Sequence, residues 1–168
     1  MTHSARFANL ADIVLVPFAD RPDEAWYVAP PGKWNSAQIV EHLALGLEWS
    51  AAGFEERRAR DPMVRRPRTL FHRIARVFIM RIEWIPPGFK APSRAVPTPH
   101  VERAVAEQRF RRGIARTLEI AQLLLPARAH DLFVKHPRLG DLTLGEWMDF
   151  HVVHARHHAR QIRQRMPR

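Results

Sequence analysis

An all-α protein, a four-helix bundle with one additional helix in a long connection, is what this 168-residue sequence predicts. Three observations carry the expectation. Apolar residues recur at helical spacing in five separate stretches, residues suited to helix capping stand at the start of several of them, and no alternating run is long enough to propose a sheet. No internal repeat is present.

The first stretch, residues 6–18, places Phe7, Leu10, Ile13, Val14 and Phe18 on one stripe. Asp20-Arg21-Pro22 ends it, and Pro30-Pro31-Gly32 marks a turn. The second opens at Asn35 with Gln38 three residues on, a capping box, and runs through His42, Leu43, Leu47 and Trp49 towards Arg58 before Asp61-Pro62 stops it. A third amphipathic stretch, 69–84, is expected to bury Leu70, Ile74, Val77, Phe78 and Ile82. The proline-rich segment 86–99 reads as an ordered crossover within a single domain spanning residues 1–168, because the segments on either side cannot close a core alone. Thr98-Pro99 has the form of a helix start, cap then proline, for a helix lasting to about Leu125 with Val101, Val105, Phe110, Ile114, Leu118 and Leu125 inward. Residues 126–142, which include His136-Pro137 and Gly140-Asp141, read as a loop. Thr143 with Glu146 is a second capping box, and the helix it opens ends near Arg165.

Composition narrows the function classes. With no cysteine there is no disulfide framework, thiolate metal site or cysteine nucleophile, so a metal would be held by imidazole and carboxylate. The first residues hold no long apolar run before a cleavage site, and no stretch approaches the ~20 apolar residues of a membrane span. A soluble, cytoplasmic protein with no membrane partner is expected. The formal charge of +10 admits a nucleic-acid-binding reading, but the arginines are spread over every segment with no aromatic platform, which favours a solvated cationic surface. Such a surface would also attract an anionic substrate.

Histidines carry the remaining signal. His151, His154 and His158 fall within about 60° of one another around the last helix, beside Trp147 and Ile162 on its apolar stripe. His154 and His158, one turn apart, can converge on one metal ion at about 2.0–2.1 Å per Zn–N bond. His157 lies farther round and reads as a surface or supporting residue. His42, alone in an apolar stripe, is the candidate third ligand; taken alone, such a residue is more often a core histidine bonded to a carbonyl than a ligand. Zincin, nucleophile-elbow, phosphate-loop and dinucleotide motifs are missing. The five tryptophans read as packing residues, with Trp34 and Trp147 also placed to wall a pocket.

Lys33-Trp34-Asn35-Ser36-Ala37-Gln38-Ile39-Val40-Glu41-His42-Leu43, then Phe89-Lys90-Ala91-Pro92, then Leu142-Thr143-Leu144-Gly145-Glu146-Trp147 and His154-x-x-x-His158-x-x-Gln161-Ile162, taken in order, resemble the DinB/YfiT-like superfamily of metal-dependent enzymes. The resemblance implies a four-helix bundle with a long crossover, often dimeric, in which three histidines hold a divalent metal, Zn²⁺ or Ni²⁺. His42 matches the ligand on the second helix, His154 and His158 the final pair, and Gln161 the trailing position beside them. His151 has no required counterpart and is a substitute ligand or a pocket-lining group. Relatives include thiol-dependent isomerases and S-transferases, so the implied chemistry is activation of water or a low-molecular-weight thiol for a small-molecule substrate. His151 is the preferred proton acceptor over Glu48, which is offset from His42 by about 240°. A non-catalytic bundle pinned by a structural metal, and a basic nucleic-acid-binding protein, stand as the alternatives.

Overall fold

In the computed structural model, which describes residues 2–86 and 90–166, the chain is mostly helical with one small sheet. Phe89 of the crossover motif lies outside the described residues.

The expected first helix is broken. It forms α1 (His3–Ala8), α2 (Leu10–Val14) and a 3₁₀ turn over Val16–Phe18, with the break at Asn9. Pro17 withholds an N–H from the last turn, which tightens it. Phe7, Leu10, Val14 and Phe18 still reach the core, and both short helices pack on the last helix. A 3₁₀ stretch over Asp23–Tyr27, not anticipated, buries Trp26 beneath the guanidinium of Arg103.

Helix α3 (Ser36–Arg57) starts where expected. Asn35 Oδ1 accepts from the Gln38 N–H at 2.9 Å and Gln38 Oε1 from the Asn35 N–H at 3.0 Å. It packs along α5 (Arg103–Arg128), where Gly113 permits the close approach; a Cβ there would lie 3.0 Å from Leu47 Cβ.

Helix α5 begins four residues later than Thr98-Pro99 predicts, with Glu102 at the cap. The buried carboxylate of Glu41 takes the Thr98 N–H at 2.7 Å and its hydroxyl, so Thr98 ties the crossover to α3 instead of capping a helix. Val105 is exposed, while Phe110 and Ile114 are buried as expected.

The third stretch departs most from expectation. Thr69 and His72 form a capping box for α4 (Leu70–Arg76), which continues into a π turn over Val77–Arg81. Leu70, Ile74, Val77, Phe78 and Ile82 are exposed, and Ile79 alone of this segment is buried. The π turn changes the angular step only from Val77 onward; Leu70 and Ile74, on the regular turns of α4 before it, are exposed as well.

Residues 126–142 are not simply a loop. Helix α5 carries Pro126 in its last turn, and β1 (Val134–His136) pairs antiparallel with β2 (Gly140–Leu142). Three-residue strands are too short for alternation to announce them. Gly140, at φ +75°, occupies the left-handed conformation that the turn needs. Helix α6 (Leu144–Arg165) follows, its Thr143–Glu146 capping box formed as read. One contiguous apolar cluster joins all the long helices.

Candidate metal centre

His42 stands two turns into α3, and His154 and His158 stand on successive turns of α6, which packs against α3. Their nitrogens form one group whose candidate ligand atoms all lie within 4.8 Å of one another, and this group could hold a metal ion. His154 Nε2 lies 3.3 Å from His42 Nε2 and 3.0 Å from His158 Nε2. Nitrogens at opposite ends of a tetrahedral N–Zn–N angle would be about 3.3 Å apart, so the spacing fits a small divalent cation.

Hydrogen bonding orients two of the three rings. His42 Nδ1–H donates to the Ala95 carbonyl at 2.6 Å, and His158 Nδ1–H donates to Gln161 Oε1 at 2.9 Å. Both tautomers therefore turn an Nε2 lone pair to the centre. Only His154 is left to bring a proton between them, and its Nδ1 is buried without a partner. Three lone pairs meeting in a buried place repel unless a cation or proton lies among them, and that donor set suits a divalent metal.

Electrostatics favour the ligand form. Burial lowers the pKa of His42 despite the Ala95 hydrogen bond. His154 and His158 lie well below the usual imidazole value, through burial first and then the neighbouring rings. At neutral pH all three rings are uncharged, as metal ligation requires.

The three rings line a cavity of about 1320 Å³. Trp34 tilts over His42 at 5.0 Å and Phe150 stacks on His154 at 5.2 Å, so aromatic walls flank the nitrogens. Trp147 both packs and lines: it is 2% exposed, donates Nε1–H to the Val134 carbonyl at 3.0 Å and borders the same cavity. Among the described residues no further imidazole or carboxylate joins the group of three.

His151 lines the cavity but stands apart from the group. The Ser50 hydroxyl donates to the Leu47 carbonyl at 3.0 Å, leaving Ser50 Oγ to accept from His151 Nε2–H at 2.9 Å. Burial brings its pKa down to about 3, so the ring is a neutral, positioned group and a poor proton acceptor at neutral pH. Glu48 is held in a two-pronged pair with Arg109, at 2.6 and 2.7 Å, facing α5.

Three participants escaped the sequence reading. The Ala95 carbonyl gave no signal, since any backbone carbonyl serves. Arg165 follows His158 by seven residues, a spacing that places it on the same helix face, and its guanidinium binds the carbonyl of Trp34, whose ring tilts over His42. His136, read as part of a loop, is buried against Trp147 and Phe150 on the cavity wall. His157 accepts from Gln161 Nε2 at 3.0 Å and so supports His158 indirectly, in line with its expected place.

The family model described as "Protein of unknown function (DUF1569)" matches residues 19–165, which include all three histidines. No curated protein and no solved structure matches the chain.

Proposed function

The chain belongs to the DUF1569 family, and from the geometry of its histidine centre we propose a divalent-metal-dependent enzyme in which His42, His154 and His158 hold Zn²⁺ or Ni²⁺. The observation that carries this reading is the convergence of three Nε2 atoms, two with their tautomers set by Ala95 and Gln161, on one wall of a large cavity. When bound, the cation would lower the pKa of a water or a low-molecular-weight thiol and supply a nucleophile near neutral pH. His42 and His158 hold their lone pairs in place through their Nδ1 hydrogen bonds, and Trp34 and Phe150 restrict water around the reacting position. His151, fixed by Ser50, lines the cavity as a neutral hydrogen-bonding group; proton transfer to it would require a substrate that stabilises the imidazolium.

The reading includes a four-helix bundle of DinB/YfiT type, with α1 and α2 as a broken first helix and α4 as the additional helix in the long connection between α3 and α5. It also includes a small-molecule substrate, a cytoplasmic setting and a homodimer. A hydrolase or S-transferase reaction is the class this resemblance supports. A three-member ligand group favours a catalytic over a structural cation, because structural zinc is closed by a fourth protein ligand. Many arginines pair with carboxylates within the chain, which favours a small-molecule over a nucleic-acid partner.

Elemental analysis of the purified chain beside His42→Ala and His154→Ala tests the proposal. One divalent ion per chain is expected, lost in both variants while circular dichroism stays helical. Protein that takes up no divalent metal, or variants that retain it, would remove the proposed centre.

A further inference from the structure

A second cavity, of about 370 Å³, shares no lining residue with the histidine cavity and is walled by Arg68, Arg73, Arg76 and Arg81 with Val77 and Met80. Charge there is out of balance. Arg65, Arg68 and Arg76 all turn to one carboxylate, Glu146, at 2.9, 3.2 and 3.1 Å. Glu146 is itself committed to capping α6, since it accepts the Thr143 N–H. The nearby carboxylate of Asp141 is taken by Arg66, and Arg68 meets Asp141 through its backbone carbonyl and not its carboxylate. Arg73 and Arg81 have no carboxylate partner among the described residues.

Two buried donors make the imbalance specific. Arg68 Nε and Arg76 Nη1 are shielded from solvent and hydrogen-bonded to nothing. Native interiors rarely leave guanidinium N–H groups in that state. Burial, then repulsion from Arg76 and Arg65, outweighs Glu146 and holds Arg68 below the usual guanidinium value, as expected where cations crowd.

We propose that this arginine-walled cavity is a binding site for a phosphate-class oxyanion. Guanidiniums arrive from the 65–68 segment, from α4 and from the π turn, more directions than the two coplanar oxygens of one carboxylate can serve. A tetrahedral phosphoryl group offers three or more acceptor oxygens and up to two negative charges, which matches both the geometry and the excess charge. A cavity of this volume has room for a phosphoryl group with a small organic portion. Because Leu70, Phe71, Ile74 and Phe78 are exposed on the same segment, the phosphoryl group has two possible sources, a free phosphate compound or a lipid headgroup.

Calorimetric titration of the full chain with inorganic phosphate, at ionic strength fixed by sodium chloride, tests the site. The comparison is between the native chain, Arg73→Gln/Arg81→Gln and Arg111→Gln/Arg112→Gln. All four substituted positions are exposed, so each variant should fold, and the α5 pair removes equal charge elsewhere. Binding that weakens at least about tenfold in the first variant alone, the equivalent of one charge-assisted hydrogen bond, is expected. A parallel arm uses phosphatidylcholine vesicles with and without phosphatidate; binding confined to phosphatidate vesicles, with the same variant dependence, assigns the headgroup as source and also supports the site. No binding in either arm, or equal loss in both variants, overturns it. Repeating the titration with a chelator separates this site from the histidine centre. Affinity that vanishes on chelation would place the anion at the metal and overturn the proposal, whereas failure of the chain to bind metal at all would leave the result unchanged.

Discussion

At the scale of single residues, the histidine centre depends on groups one hydrogen bond beyond the proposed ligands. Gln161 holds the His158 ring by its Oε1 and touches His157 with its amide nitrogen, so it fixes which His158 nitrogen faces inward. Gln161→Leu should lower divalent-metal affinity about 10- to 100-fold while leaving the stoichiometry at saturation intact. Competition with a chelating dye reads this directly, and unchanged affinity would show that Gln161 does not orient the ligand. His42, His154 and His158 were legible because four-residue spacing on a helix and an isolated polar group on an apolar stripe are sequence patterns. The role of Ser50 in holding His151 was not. It depends on how two helices, a hundred residues apart in sequence, rotate against each other.

Elements were most legible where their chemistry is local. The boxes at Asn35–Gln38 and Thr143–Glu146 close within four residues, and both formed as read. Asn35→Ala and Thr143→Ala should each cost about 1 kcal/mol of stability, additive in the double variant because the two caps share no partner. Urea denaturation with an unchanged slope checks it, and a cost well below a few tenths would mean the caps are redundant. Thr98 looked equally well suited and failed, because the Glu41 carboxylate on another helix claimed its N–H and hydroxyl. Residues 69–84 failed differently. Their apolar periodicity is genuine, but periodicity marks a face without saying what covers it: Leu70 and Ile74 are exposed on the regular turns of α4, and the π turn changes the angular step only after them.

Across the whole molecule, buried neutral histidines make stability depend on pH. Burial brings both His136 and His151 from the ordinary 6.5 to about 3, with repulsion from His151 and Arg138 adding to the effect at His136. The unfolded chain therefore binds more protons than the folded chain between those values. The stabilisation is fully present above about pH 6.5 and is lost as pH falls through that window, at about 1.4 kcal/mol per pH unit for each such ring. Denaturant midpoints of the metal-free chain should fall steadily from about pH 7 towards pH 5. A midpoint flat over that range would mean that the rings admit water or charge in the folded state. The depressed carboxyls of Asp141 and Glu146 add to acid lability only lower down, since their contribution is lost below the ordinary carboxylate range. Periodicity, caps and histidine spacing alone determined that this chain is mostly helical and which three imidazoles were candidates for one ion, because those signals arise between residues within two turns of one another. Tertiary structure decided that the three nitrogens meet, that His151 stands aside with Ser50, that His136 is buried and that three arginines crowd one carboxylate. Those outcomes depend on the rotation and register of packed helices and on competition for shared partners far apart in sequence.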